Sequence, residues 1–361
     1  MNNNVMNDTD SQHVVFGATG AYGYAVIKKL QEKSLNVRAV VRDEGKASGL
    51  FPGNVETAVA DVMNEEQVSR ACKGASVIYM GQNFSYGKWN RRFLRSVYNI
   101  LKGCRETRPS IVFPGNVYGY GEFQHIPVDE SHPLDARSVK GKLRNQIETL
   151  LMDYHRRGKL SVVIPRFADF YGPNVLNELY GAMFRSAING APAIWPVNAD
   201  FLHNFTYIDD AAEASVLLVR DPDSYGQAFH VSGQAITPRK FIEEIFKAAG
   251  TQSNVRILSR GFLRVVGIFN SNARGLMELL YEYTNPYILD DSKFIGAFPA
   301  FKYTSYKDAP LHALETCSSF ITSATVVSTF AGSNSDALPS SLTTALTLSL
   351  FSWSFLITAY P

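Results

Sequence analysis

Three glycines spaced by two residues, Gly17, Gly20 and Gly23 in GATGAYG, stand between an apolar run, HVVF, and an amphipathic segment, AYGYAVIKKLQEK. Glycines so placed let a chain turn tightly out of a buried strand into a helix. They also let backbone N–H groups approach a ligand with no Cβ in the way. The helix that follows carries Val26, Ile27 and Leu30 on one face. Its amino end adds a favourable dipole, so the turn suits a pyrophosphate. Gly17, Thr19, Gly20, Ala21, Tyr22 and Gly23 are therefore candidate dinucleotide contacts. A purely structural glycine turn is the competing reading, and the position of the motif at a first strand–helix junction speaks against it.

The rhythm continues past this turn. NVRAVVR, VETAVADV, SVIYMG, SIVFPG, LSVVIPR and QAFHVSG read as six further strands, with helical segments between most of them. Asn64 is placed to cap the helix NEEQVSRAC, and Asp209 to cap the helix after FTYI. Leu143, Ile147, Leu150, Leu151 and Tyr154 form an apolar stripe on the helix before the sixth strand. Repeated βαβ units with short connections imply an α/β fold: a doubly wound parallel Rossmann sheet of about seven strands. Pro173, Gly190, Pro192 and Pro196 loosen the rhythm and mark a smaller, helix-rich substrate lobe. The expected segmentation is a disordered lead-in over 1–12, a dinucleotide domain over 13–172 and 205–233, a substrate lobe over 173–204 and 234–318, and a tail over 319–361.

Composition narrows the class of function. A net charge of +2 over 361 residues, with no basic block, leaves no footprint for nucleic acid or an anionic membrane. Cys72, Cys104 and Cys317 are far apart and fit a reducing compartment, so a cytoplasmic location is expected. The start, MNNNVMNDTDSQ, lacks the apolar core of a secretory signal. The segment 342–360 has about the length of a membrane span, yet seven Ser and Thr residues dilute it. It reads either as a tail anchor, the sole route to membrane contact, or as a non-homologous extension.

The end of the second strand selects the cofactor. An acidic residue there holds a ribose 2′-hydroxyl, whereas a basic one accommodates a 2′-phosphate. Val41 is followed by Arg42 and then Asp43, with Lys46 nearby. Arg42 offers a fork of donors suited to phosphate, which favours NADP(H) over NAD(H). In the competing reading Arg42 is a solvated charge and Asp43 binds NAD. Asp61, after the third strand, can accept from the adenine amine, with Val62 beside it.

Together GATGAYG, ADV, VFPGNVYGYG, RFADFYGP, FTYIDDAAEA and QAFHVSG resemble the short-chain dehydrogenase/reductase superfamily in its extended, atypical form, the NAD-dependent epimerase/dehydratase family. The resemblance spans about residues 13–318 and implies a dinucleotide domain closed over by a substrate lobe. It also implies a small-molecule substrate and a homodimer through the helices after the fourth and fifth strands. RFADFYGP resembles the segment that meets the nicotinamide side and contributes to the substrate cleft.

The chemistry of that family rests on a Ser or Thr, a Tyr, and a Lys four residues after the Tyr. Here Pro114 falls where the serine is expected, Lys140 at the tyrosine and Arg144 at the lysine. Lysine has a reference pKa of about 10.4, and arginine does not deprotonate. Two cations at i and i+4 would depress the Lys140 pKa and let it donate a proton near neutrality. Alternatively both bind phosphate, ribose or an acidic substrate. Asn116 is a candidate replacement for the lost hydroxyl, and Tyr118, Tyr120 and Tyr86 are further candidates.

His203 stands where sugar-nucleotide epimerases carry an arginine for the diphosphate, which lowers the odds of a nucleotide-sugar substrate. As a residue it reads as a satisfied loop histidine. His125, Asp129, Glu130 and His132 fit no compact metal site, so no metal is expected. Two functions follow: an NADP(H)-dependent oxidoreductase or epimerase with a rebuilt site, acting on a small carbonyl, hydroxyl or sugar-like compound, or a dinucleotide-binding sensor or regulatory protein without turnover.

Overall fold

The computed structural model describes residues 11–314 apart from 48, 52–54, 85–88, 178 and 270–274. Residues 1–10, the tail 319–361, Cys317 and Tyr86 lie outside the described residues. In chain order the elements are β1 (Gln12–Phe16), α1 (Ala21–Glu32), β2 (Asn36–Val41), α2 (Glu44–Ala47), β3 (Glu56–Val59), α3 (Glu65–Ala71), β4 (Val77–Met80), α4 (Trp89–Gly103) and β5 (Ser110–Val112). There follow β6 (Gly115–Asn116), α5 (Val139–Arg156), β7 (Ser161–Phe167), β8 (Asp169–Tyr171), α6 (Tyr180–Ile188), β9 (Ala193–Pro196) and β10 (His203–Tyr207). The last are α7 (Ile208–Arg220), β11 (Gln227–Val231), β12 (Ala235–Ile236), α8 (Pro238–Ala248), β13 (Val255–Leu258), α9 (Arg260–Phe269) and α10 (Ser292–Ala297).

Seven strands run parallel in the order β11-β7-β5-β4-β1-β2-β3, and β6 pairs with β7 as an eighth. The seven are the apolar runs read from the sequence. The order reverses between β1 and β4, and such a switch point opens a crevice at the carboxyl ends of the strands, where ligands bind. The glycine turn leaves β1 at that crevice.

The sheet is covered on both faces because its strands alternate. Val15 joins Val26, Leu30, Ala211 and Leu218 of α1 and α7 on one side. Val14 and Phe16 join Val68, Phe93, Ile147 and Leu151 of α3, α4 and α5 on the other. Each such side chain contributes about 1.5–3 kcal/mol when fully buried. Asn64 caps α3 as expected, its Oδ1 accepting from Gln67 N at 3.1 Å. The α7 cap differs from expectation. Tyr207 is the N-cap and makes no side-chain cap bond, while Asp209 sits inside the first turn and accepts from Lys28 Nζ at 3.1 Å.

The loosened part of the sequence holds two small sheets as well as helices. One is ordered β12-β10-β8, the other pairs β13 with β9. Strands of two to five residues leave no periodic trace for sequence reading to find. Phe205 of β10 stacks on Phe241 of α8 at 4.3 Å, and both belong to the same apolar cluster as Val26 of α1. Among the described residues no helix is long and apolar enough to cross a membrane.

Candidate dinucleotide and substrate site

The glycine turn cannot be rebuilt with larger residues. Gly17 has φ +67°, and a Cβ there would lie 2.4 Å from the Gly81 carbonyl oxygen. A Cβ on Gly23 would lie 2.3 Å from the Gly17 carbonyl oxygen. Gly20 is the N-cap of α1 and offers no side-chain cap, so the first-turn N–H groups of Ala21, Tyr22 and Gly23 keep their capacity for an anionic ligand. Thr19 and Gly20 are exposed at the mouth of the turn. The cradle fits a dinucleotide pyrophosphate. Tyr22 offers this turn only its backbone N–H, since its hydroxyl is buried and donates to Ser215 Oγ at 2.9 Å.

At the adenosine side, Ala18 N approaches Val40 O at 3.4 Å, tying the turn to the end of β2. Arg42 lies two residues beyond Val40, exposed, and makes no ion pair with a described residue. Asp43 Oδ1 instead accepts from Gly45 N at 3.0 Å, closing its own turn. Asp61 is exposed, with Oδ1 accepting from Met63 N at 2.9 Å. Val62 is buried, and its carbonyl accepts from Asn99 Nδ2 at 2.8 Å.

The structure puts the two cations of α5 in separate surroundings. Ser138 caps the helix, accepting from Gly141 N at 3.1 Å, and this sets the phase of the first turn. Lys140 is buried; its Nζ donates to Gly275 O at 3.0 Å and pairs with Glu278 Oε2 at 3.3 Å. Arg144 donates from Nη1 to Pro114 O at 3.0 Å. Its guanidinium lies over the rings of Trp89, Phe93 and Phe113. The side-by-side cations read from i and i+4 spacing thus diverge, one to a carboxylate and one to an aromatic cage.

Asn116 ends β6, where its Oδ1 accepts from Tyr118 N at 3.2 Å and leaves the amide nitrogen as a donor. Tyr118 is half-buried beside Trp89. Tyr120 is fully committed: its hydroxyl accepts from Arg166 Nη1 and bonds His230 Nε2, both at 2.6 Å. Burial pushes its pKa up to about 12. Arg166 also pairs with Glu148 Oε2 at 2.6 Å, so a buried chain of polar groups ties α5, β7 and β11 together. His132 takes part in local bonds to Gln124 N and Pro133 O, and Glu130 accepts from His230 N. Among the described residues no three His, Cys, Asp or Glu side chains gather for a metal.

Sequence reasoning missed a second buried cluster. Asp169 Oδ2 accepts from His203 Nε2 at 3.0 Å and from the Tyr180 hydroxyl. His203 sits in β10, not a loop, and stacks on Tyr287 at 4.4 Å. Glu282 adds a second carboxyl, 3% exposed, and its Oε1 has no hydrogen-bond partner among the described residues. Burial, with Asp169 nearby, pushes the Glu282 carboxyl well up. The only signal in the sequence was an Asp within RFADFYGP and a run of aromatics, YEYTNPY, more than a hundred residues later.

Residues 13–232 match the model of the NAD dependent epimerase/dehydratase family. An Arabidopsis thaliana protein carrying the name of a UDP-arabinose 4-epimerase is 20% identical over 228 residues, 56% of this chain and 52% of its own. The chain therefore spans about half the length of that relative. A Stigmatella aurantiaca ketoreductase for 4-hydroxy-2-methyl-3-oxo-4-farnesyl-3,4-dihydroquinoline-1-oxide is 21% identical over 257 residues, 67% of this chain and 74% of its own. The solved dTDP-glucose 4,6-dehydratase of Bacillus anthracis, in complex with NAD, superposes with a TM-score of 0.71 at 12% identity, covering 86% of this chain and 97% of that one.

Proposed function

The chain belongs to the NAD-dependent epimerase/dehydratase family, and from that premise we propose an NADP(H)-dependent oxidoreductase or epimerase acting on a small carbonyl or hydroxyl compound. One observation carries the reading: Gly17 and Gly23 admit no Cβ at the turn before α1, while Arg42, at the end of β2, is engaged by no described residue and Asp43 is tied into its own turn. Arg42 is thus available to a 2′-phosphate, and the Asp43 carboxylate that would select NAD already accepts through Oδ1 within its own turn.

The bound dinucleotide would supply or accept hydride at the substrate carbon. Lys140 stands at the tyrosine position and exchanges the proton at the substrate oxygen, held in place by Gly275 O and Glu278. The Asn116 amide nitrogen donates to that same oxygen. A second reading, dinucleotide binding without turnover, has its own support, because Arg144 contacts Pro114 rather than standing open to a ribose.

Titration with NADPH and NADH by fluorescence, followed by NADPH oxidation against a panel of aldehydes and ketones, separates the two. Turnover abolished by Lys140→Ala supports the first. Tight NADPH binding with no oxidation on any carbonyl overturns it in favour of the second.

A further inference from the structure

A cavity of about 210 Å3 lies between the loop after β6 and the segment 281–287. Glu122, Phe123, Ile126, Tyr281, Glu282 and Tyr287 line it, and among the described residues no lysine, arginine or histidine does. Phe123 and Tyr287 stack on each other at 5.4 Å, giving an aromatic wall. Two carboxyl groups therefore meet aromatic faces at one cavity. Among the described residues, Lys140 is engaged with Glu278 and His203 with Asp169.

We infer that this cavity binds a small organic ammonium compound, an amine-bearing substrate, and rejects the diphosphate of a nucleotide sugar. An ammonium has donors for a carboxylate and an apolar stem for the aromatic wall, with the cation favoured over ring faces. A phosphate would meet the exposed Glu122 carboxylate with no counter-charge among the described lining residues, a repulsion that discriminates against it. Glu282 is the group a cation would engage: it is buried, its Oε1 lacks a partner among the described residues, and a cation would stabilise the ionised form that burial disfavours. A bare metal ion would want more oxygen ligands than two carboxyl groups against aromatic walls provide.

This inference deepens the proposed function by naming the substrate class, and it is tested without dinucleotide so that the two stand or fall separately. The full chain is titrated calorimetrically with phenethylammonium, with phenethyl alcohol as the uncharged analogue, and with UDP-glucose. Phenethylammonium should bind about tenfold or more tightly than the alcohol, as one charge-assisted contact implies. Glu282→Gln should remove that preference while keeping a cooperative melting transition. Glu122→Gln, and the two-ligand comparison in the unmodified chain, keep the test decisive should Glu282→Gln fail to fold. Equal affinity for amine and alcohol, or displacement of the amine by UDP-glucose, overturns the inference. Amine binding in a chain that ignores NADPH would overturn the proposed function and leave this inference standing.

Discussion

Arg144 donates its Nη1 hydrogen to the carbonyl oxygen of Pro114 at 3.0 Å, with its guanidinium 4.7 Å from the ring centre of Phe93. Two residues that the family resemblance expects at reactive positions are thus bonded to each other. The bond makes the changes at Pro114 and Arg144 one structural unit.

That clasp should show in stability. Arg144→Ala removes a charge-assisted hydrogen bond and a stack over three rings, and should cost about 2–4 kcal/mol. Arg144→Lys keeps the charge but not the flat fork and should cost less, on the order of 1–2 kcal/mol. Urea unfolding of the three proteins measures both, and an unchanged midpoint for Arg144→Ala would show the clasp to be idle.

The turn offers a sharper test of the cofactor site. Gly23→Ala forces a Cβ to 2.3 Å from the Gly17 carbonyl oxygen, so the turn must shift. NADPH affinity, read by fluorescence titration, should fall at least about tenfold, the equivalent of one lost phosphate contact.

Arg42 and Asp43 are separable by cofactor. Arg42→Ala should weaken NADPH by about ten- to a hundredfold, the range of a charge-assisted contact, and leave NADH unchanged. Preferential NADH binding that ignores Arg42→Ala would reverse the cofactor assignment.

His230 should make the fold acid-sensitive. Its Nδ1 faces the Asp290 carbonyl, which only accepts, so Nδ1 carries the hydrogen and Nε2 accepts from Tyr120. Burial first, then the neighbouring Arg166, lowers its pKa from 6.5 to about 4. The unfolded chain therefore binds the extra proton between these values. Stability is full above about pH 6.5 and falls as pH drops towards 4, by about 3 kcal/mol at most. Urea midpoints across that window should fall more steeply for the wild type than for His230→Gln.

Glu282 should act in the opposite sense. Its folded carboxyl is raised, so without a ligand its contribution is greatest below the usual carboxylate range of about 4.3 and is lost as pH rises. Glu282→Gln should melt higher than the wild type at pH 8 and alongside it near pH 4. A lower melting temperature for Glu282→Gln at pH 8 would show that a compensating partner is already present.

The sequence by itself determined the parallel sheet, its seven main strands and the dinucleotide cradle. These rest on short-range rules: apolar runs of strand length, helical spacing of Val26, Ile27 and Leu30, and glycines where the turn admits no Cβ. The resemblance also points to Pro114, Lys140 and Arg144 as the residues to test at the family's reactive positions. Where those side chains go was beyond it. The i and i+4 spacing gives a shared helix face, but a flexible side chain follows its partners, and Glu278 and the rings of Trp89 and Phe113 come from remote stretches of chain. The Asp169–His203–Tyr287 stack and the lone Glu282 carboxyl are assembled only by tertiary packing. Burial and charge proximity are properties of the folded chain, and they decide what each of these groups can do.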